Sequence, residues 1–164
     1  MIAALGAEAV WIEECLTDQI SPEAFRQVNL PILRRCTEAI REQGMKSIYY
    51  YCGSPWTRLD AILDAGADAV HFEESKKGFS IQIEDIVEAV GRRCVVFGNL
   101  DAIGVLQDGS EDVLRAEIHR QLCAGRKNGN RFIMSTGSPI TPGTAVPRVR
   151  RYTDIVREID GRSL

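Results

Sequence analysis

A segment that occurs twice is the feature that most constrains the fold of this chain. Residues 6–15 read GAEAVWIEEC and residues 66–75 read GADAVHFEES. Each copy predicts a glycine turn, then a short apolar strand, then two carboxylates where the strand ends. Such a repeat is typical of β/α folds, in which residues at the carboxyl ends of parallel strands carry the chemistry.

Short apolar runs recur along the chain and predict further strands. The predicted strands cover residues 9–13, 47–52, 69–73, 94–98 and 132–135. Their nearly continuous apolar character is typical of parallel strands that are buried on both faces.

Helical patterns separate these strands. Ser21 and Ser110 are predicted N-caps of two helices, and the shorter helices are predicted over residues 57–65, 83–90 and 147–159. The apolar residues of the first helix fall at steps of three and four, which predicts its buried face. That face would contain Phe25, Val28, Ile32, Cys36 and Ile40.

Alternating strands and helices imply a parallel sheet with right-handed crossovers. A closed (β/α)₈ barrel takes about 250 residues, so 164 residues predict a partial TIM barrel of five βα units that forms one domain, residues 1–164. An open doubly wound sheet is the alternative, but no glycine-rich phosphate motif follows the first strand. The open sheet edges of a partial barrel predict a homo-oligomer or pairing with an upstream half-barrel.

Composition narrows the classes of partner. The formal net charge of −3 and the pI near 5.5 argue against nucleic acid and anionic membranes. No apolar run is long enough for a membrane span and no signal peptide is recognisable, so we expect a cytoplasmic protein with a small-molecule substrate. The cysteines do not predict a disulfide framework, and Cys36, Cys94 and Cys123 are expected to pack in the core.

Acidic and thiol side chains collect where the predicted strands end. The set is Glu13, Glu14, Cys15, Cys52, Glu73, Glu74, Asn99, Asp101 and Ser138. Crowded carboxylates and a thiolate either bind a cation or drive their pKa values apart, which predicts a metal or acid/base site. The alternative is that these acids cap helices or face water. Because side chains alternate along a strand, one glutamate of each pair is expected to face the barrel axis.

Three of these positions have a competing structural interpretation. Cys52 precedes a glycine and a predicted helix start, which suits a soft metal ligand or nucleophile, although a small buried hydrophobe is the alternative. Asn99 would orient a substrate through its amide and Asp101 would hold charge, or the two would form an Asx-type turn.

Several short motifs follow one another in a specific order. They are ISPEAF at 20–25, LP at 30–31, YCG at 51–53, GAD at 66–68, GNLD at 98–101 and STGS at 135–138. This order resembles the C-terminal half of the uroporphyrinogen decarboxylase superfamily. The superfamily includes the decarboxylase of haem biosynthesis and methyltransferases that move methyl groups between cobalamin and a thiol, and the resemblance implies a (β/α)₈ barrel.

In the methyltransferase branch a His-x-Cys-Gly motif and a later cysteine bind zinc, which activates a thiol. The resemblance places Tyr50 at the histidine, Cys52 at the first cysteine and Ser138 at the second. Together with the acids at the predicted strand ends, it predicts metal binding by Cys52, Glu14 and Glu74, substrate binding by Tyr50, Asn99 and Ser138, and catalysis by Glu13, Glu73 and Asp101.

Three functions are compatible with this resemblance. The first is methyl or one-carbon transfer, with zinc and with corrinoid (cobalamin) carried by a partner protein. The second is a lyase reaction without a cofactor, the decarboxylation of a tetrapyrrole in porphyrin biosynthesis, although the characteristic decarboxylase loops are not recognisable here. The third is a truncated, non-catalytic half-barrel that assembles with a partner chain.

Overall fold

The structure is a computed structural model that describes residues 3–76, 78–129 and 131–161. Five parallel strands alternate with helices, and their order in the sheet is β1-β2-β3-β4-β5. The backbone divides into two compact units. Unit 1 contains Met1–Phe72 and Arg92–Val95, and unit 2 contains Glu73–Gly91 and Val96–Leu164.

Three strands of unit 1 run parallel. They are β1 (Ala9–Glu14), β2 (Lys46–Tyr51) and β3 (Ala69–Phe72). Each lies within one residue of its predicted bounds because β-branched and aromatic residues favour the pleated backbone. Val95, which begins β4, donates its amide to the carbonyl of Asp68 at 3.0 Å.

The helices of unit 1 are α1 (Pro22–Ala24), α2 (Leu30–Glu42) and α3 (Leu59–Asp64), with short 3₁₀ turns at Ala3–Leu5 and Thr17–Gln19. The Ser21 hydroxyl accepts the Ala24 amide at 3.0 Å, which confirms the predicted N-cap. A π-helical turn, Phe25–Asn29, joins α1 to α2 and ends two residues before Pro31, which has no N–H to donate.

The predicted buried face of this helix is wrong. Val28, Ile32 and Cys36 are exposed, whereas Leu30, Leu33 and Thr37 are buried beside Phe25. The wider π turn adds a residue, so the 3.6-residue periodicity that starts at Phe25 does not continue along the face expected for an uninterrupted α-helix.

Unit 2 contains the end of β4 (Val95–Phe97) and β5 (Phe132–Ile133), which pair in parallel. Its helices are α4 (Ile83–Val90), α5 (Glu111–Arg126) and α6 (Val146–Asp160), with a π-helical turn at Ala102–Gln107. The Ser110 hydroxyl accepts the Val113 amide at 3.2 Å and caps α5 as predicted. The core of this unit consists of Leu100, Leu106, Leu114, Ile118, Leu122 and Ile155.

No helix among the residues that the structure describes is long and apolar enough to span a bilayer. Of the three cysteines expected in the core, Cys94 is buried, Cys123 is half-buried and Cys36 is exposed.

Candidate functional site

Two thiols and a carboxylate meet where β1 and β2 end. The Cys15 thiol donates to Glu13 Oε1 at 3.0 Å, and the Cys52 thiol lies 3.4 Å from Cys15 Sγ. Their potential ligand atoms all lie within 4.8 Å of one another. Glu13 and Cys15 are exposed and Cys52 is buried, so this thiol–carboxylate cluster is anchored in unit 1 and open to solvent on one side.

The cluster forms because side chains alternate along parallel strands. Glu13 and Cys15 are two residues apart and therefore point to the same face of the sheet. Glu14 is paired with Tyr51 across β1 and β2, and the Cys52 amide donates to the Glu14 carbonyl at 3.1 Å. The residue that directly follows each strand is a cysteine, and the two thiols lie side by side.

The electrostatics of the cluster favour the protonated form of the Cys15 thiol. The hydrogen bond to Glu13, then the hydrogen bond to Cys52, raise the pKa of the Cys15 thiol from 9.0 to about 12. A cation that replaces the proton would remove the repulsion between the carboxylate and the thiolate, because its positive charge lies between them.

The distances fit a tetrahedral zinc site. Zinc binds cysteine sulfur at about 2.3 Å and carboxylate oxygen at about 2.0–2.2 Å, so two sulfur ligands lie roughly 3.8 Å apart and a sulfur–oxygen pair roughly 3.6 Å apart. The observed separations are 3.4 Å between the two sulfurs and 3.0 Å between Cys15 Sγ and Glu13 Oε1. Glu13, Cys15 and Cys52 would supply three ligands and leave the fourth position open, as catalytic zinc sites do.

Aromatic rings border the same face of the sheet. The Tyr50 ring centroid lies 4.6 Å from that of His71 and 5.6 Å from that of Trp11. Tyr50, predicted to bind substrate, is buried in this aromatic group, whereas Trp11 is 44% exposed. The ring that a ligand would meet first is therefore that of Trp11.

Glu14 points to the opposite face and is not part of the thiol–carboxylate cluster. Its Oε2 accepts the Tyr49 hydroxyl at 2.5 Å and the Asn29 side-chain amide at 2.7 Å. Burial, and then the hydrogen bond to Glu14, raise the pKa of Tyr49 above its ordinary value. Glu14 thus connects the strands to the helical segment that contains Asn29. Glu13 is the glutamate of the pair that faces the two thiols.

Arg58 is a buried residue that the sequence reasoning did not single out. Its guanidinium donates to the carbonyls of Thr17 at 2.5 Å and Ile20 at 3.2 Å, and it lies over the rings of Phe25 and Tyr51. It therefore fixes the loop that follows Cys15. A single arginine near the start of a predicted helix carries no sequence signal of such a role.

A second group of polar residues, the buried acidic cluster, lies within unit 2 and contains Glu73, Glu74, Lys76 and Ser138. Lys76 Nζ lies 2.6 Å from Glu73 Oε1 and 3.6 Å from Glu74 Oε1, and it donates to the Ser138 hydroxyl at 2.5 Å. That hydroxyl in turn donates to the Glu74 carboxylate at 2.8–2.9 Å. Three predicted site residues are brought together here around a lysine that the sequence reasoning missed.

The charges of this cluster hold the lysine in its protonated form. Burial acts to lower the pKa of Lys76, but the hydrogen bond to Glu73 and the charges of both glutamates outweigh it, so the pKa lies above its ordinary value. Gly137 allows the loop to approach, since a Cβ at that position would overlap the backbone nitrogen of Glu74.

Asn99 and Asp101 both make structural hydrogen bonds. The Asn99 side-chain amide donates to the carbonyls of Glu73 at 3.2 Å and Ile81 at 2.8 Å, so it positions the backbone of the buried acidic cluster. Asp101 Oδ1 accepts the amides of residues 103 and 104 at 2.9 Å each and caps the π-helical turn. These bonds correspond to the structural alternative that the sequence left open.

The family model described as uroporphyrinogen decarboxylase (URO-D) matches residues 1–159. This chain belongs to the uroporphyrinogen decarboxylase family.

Two similar proteins are much longer than this chain. Uroporphyrinogen decarboxylase 2, chloroplastic, of Arabidopsis thaliana is 29% identical over 157 residues, which are 94% of this chain and 37% of that protein. Uroporphyrinogen decarboxylase of Carboxydothermus hydrogenoformans is 24% identical over 161 residues, 98% of this chain and 43% of that protein. The chain therefore spans less than half the length of these relatives.

A solved structure has the same fold. A methyltransferase from Methanosarcina mazei superposes with a TM-score of 0.81 and 23% sequence identity, over 97% of this chain and 44% of that chain. Together with the five alternating parallel strands, this likeness confirms the predicted partial TIM-barrel fold of this member of the uroporphyrinogen decarboxylase family.

Proposed function

We propose that the chain acts in methyl or other one-carbon transfer, with zinc held by the thiol–carboxylate cluster and with the methyl group exchanged with a corrinoid carried by a partner protein. The observation that carries this proposal is the approach of Glu13, Cys15 and Cys52 to within 4.8 Å. Two sulfur ligands and one oxygen ligand favour zinc over magnesium or calcium, which prefer oxygen ligands alone.

A bound zinc ion would supply Lewis acidity that keeps a small substrate thiol in its nucleophilic thiolate form. Cys15 and Cys52 would hold the ion through sulfur and Glu13 would hold it through its carboxylate, and the substrate thiol would bind beside these three ligands. Cys52, which is buried, fixes the site to β2, whereas the exposed Cys15 and Glu13 admit the ligand. Trp11 offers an apolar surface on the same face.

The buried acidic cluster suits proton transfer. Ser138 connects Lys76 to Glu74 by short hydrogen bonds, so a proton that leaves one group can be replaced along the chain. We assign Glu73 and Glu74 to this role, in place of the metal ligation that the sequence suggested for Glu74.

The test is zinc binding measured by mass spectrometry and by titration with a chromophoric chelator. We expect one zinc ion per chain in the unmodified protein and none in Cys15→Ser or Cys52→Ser. Cys36→Ser is the matched control because Cys36 is also exposed but lies on α2, and it should bind zinc normally. Equal zinc content in all four proteins, or none in any, would refute the metal site.

Methyl transfer itself is tested by loss of methylcobalamin absorbance in the presence of a small thiol. A rate that requires zinc and is abolished by Cys52→Ser supports the proposal. Zinc binding without any methyl transfer would leave the metal site intact and refute the reaction.

A tetrapyrrole decarboxylase is the second candidate, and the names of the curated relatives support it. In this case the buried acidic cluster would donate the proton that replaces carbon dioxide, and no metal would be needed. Loss of uroporphyrinogen with release of carbon dioxide, sensitive to Lys76→Met and insensitive to Cys52→Ser, would favour this function over methyl transfer.

Assembly is the third candidate and is compatible with either reaction. The chain spans 37–44% of the proteins it resembles, and β1 ends the strand order with its residues alternating between exposed and half-buried. An unpaired strand edge favours association with a second copy or with an upstream half-barrel. Sedimentation of the purified chain, alone and with a separately expressed upstream segment, distinguishes the two partners from a monomer.

A further inference from the structure

We infer that Cys15 and Cys52 form a reversible disulfide when the protein meets a peroxide. The two sulfur atoms lie 3.4 Å apart in unit 1. Neither cysteine is part of a disulfide in this structure. The disulfide would be a modification of this cysteine pair, and its formation does not depend on which reaction the protein performs.

The backbone already has the spacing that a disulfide needs. Glu14 and Tyr51 are register partners of parallel strands, and the Cys52 amide donates to the Glu14 carbonyl. The register, continued by one residue, pairs Cys15 with Cys52. Neighbouring strands lie about 4.8 Å apart, within the roughly 4.4–6.8 Å that separates the Cα atoms of a disulfide.

The side chains need only a small movement. A disulfide bond is about 2.04 Å long, so the sulfur atoms must approach by roughly 1.4 Å, which rotation about the Cα–Cβ bonds supplies. The two side chains point to the same face of the sheet because their positions are paired in register. No strand has to shift for the bond to form.

The exposures of the two thiols define an order of events. Cys15 is exposed and would meet hydrogen peroxide first, while Cys52 is buried beside it and would act as the resolving thiol. As the Cys15 sulfur bonds to one peroxide oxygen and the O–O bond breaks, Glu13, which accepts the thiol hydrogen bond, takes the thiol proton and passes it to the departing oxygen, which leaves as water; Cys15 becomes a sulfenic acid. The Cys52 sulfur then attacks that sulfur, the S–S bond forms, and the hydroxyl leaves as a second water molecule. Two thiols lose two electrons, and one peroxide is reduced to two waters.

The functional consequence rests on the proposed function. A disulfide would occupy both sulfur ligands of the thiol–carboxylate cluster and so prevent zinc from binding, and bound zinc would in turn protect the thiols from peroxide. Oxidation would therefore switch the site off, and a reducing thiol would restore it.

The experiment treats the full chain, first stripped of metal by a chelator, with hydrogen peroxide and then maps its peptides by mass spectrometry. We expect a peptide pair that links residues 15 and 52, lost on addition of dithiothreitol and absent in Cys15→Ser. Cys36→Ser should retain the link, since it removes another exposed thiol that lies elsewhere. The circular dichroism spectrum of each variant confirms that it is folded.

The outcomes separate this proposal from the metal site. Sulfinic or sulfonic acid at Cys15 without a link to Cys52, or a link from Cys15 to Cys36, would overturn the disulfide even if zinc still binds. A link between residues 15 and 52 that forms equally fast with and without zinc chloride would support the disulfide. The same result would count against the zinc site and not against the disulfide.

Discussion

Lys76 is the cation on which the buried acidic cluster depends, and replacing it tests the electrostatic account of that cluster. Its ammonium lies 2.6 Å from Glu73 and 3.6 Å from Glu74, whose side chains are only 6% and 11% exposed. Lys76→Met keeps the length of the side chain and removes its charge. Two carboxylates then remain close together with little water to solvate them.

The expected loss of stability follows from these distances. At an effective dielectric constant of about 20, Coulomb's law gives attractions of about 6 and about 5 kcal/mol for the two contacts. Desolvation of the ions offsets much of this, and removal of one partner from a buried pair costs about 3–5 kcal/mol. Because Lys76 itself is 29% exposed, we expect the lower value, about 3 kcal/mol. In a chain of this length that lowers the midpoint of thermal unfolding by about 6–12 °C.

The assay is denaturation followed by circular dichroism, at about pH 8 and again in the alkaline range. The folded-state pKa of Lys76 is raised, so its contribution is fully present below the unfolded value of 10.5 and is lost as pH rises through the folded-state value. The difference between the unmodified protein and Lys76→Met should therefore close at alkaline pH.

Lys46→Met is the matched control. Lys46 contacts Asp68 at 3.0 Å, but it is 72% exposed, and we expect this substitution to cost less than about 1 kcal/mol. Equal losses for the two variants, or a Lys76→Met difference that stays constant into the alkaline range, would refute the electrostatic account and leave packing of the aliphatic stem as the cause.

Three further substitutions test other parts of the structure. Arg58→Lys removes the planar group that reaches two carbonyls and two rings, so the free energy of unfolding should fall by about 2 kcal/mol, measured by urea denaturation. Asp68→Asn weakens hydrogen bonds of 3.0 Å from the backbone and the lysine of β2, and should cost about 1 kcal/mol at neutral pH. Burial acts to raise the pKa of Asp68, but those hydrogen bonds outweigh it, so the folded-state pKa lies below 3.8. The stability difference between the unmodified protein and Asp68→Asn should therefore vanish as pH falls from 3.8 through the folded-state pKa. The free energy of unfolding, measured at a series of acidic pH values, checks this. Gly137→Ala should lower the free energy of unfolding by about 1–3 kcal/mol, because the added Cβ overlaps the Glu74 backbone. Gly143→Ala is the control: its Cβ would meet only a glutamine side chain, so this variant should unfold at nearly the same temperature as the unmodified protein.

Much of the fold is predictable because its signals are local. The duplicated segment predicts β1 and β3, and the structure places both strands within one residue of the expected bounds. The N-caps at Ser21 and Ser110 depend on a hydroxyl and an amide three residues apart, so neighbouring residues are sufficient to identify them. The same holds for α4, whose residues Ile83–Val90 agree with the predicted range.

The buried face of the first helical segment depends on more than its local pattern. Counting in steps of three and four assumes a regular α-helix, and the π-helical turn at Phe25–Asn29 breaks that assumption. Leu33 and Thr37 are buried instead of Ile32 and Cys36. Thr37 is tolerated there because its hydroxyl donates to the Ala65 carbonyl at 2.7 Å, a partner 28 residues away.

The candidate site, too, has features that the sequence predicts and features that only the tertiary structure determines. The types of residue at the strand ends, carboxylates and thiols, can be read from the amino-acid order, because the end of a strand is a local property. Their partners cannot, since they are set by strand register and by loops that return from distant positions. Glu13 joins Cys15 and Cys52 whereas Glu14 bonds Tyr49, because adjacent side chains on a strand point to opposite faces and the neighbouring strand determines what each one meets. Lys76 becomes the centre of an acidic cluster only because Ser138, 62 residues further along the chain, folds back against it.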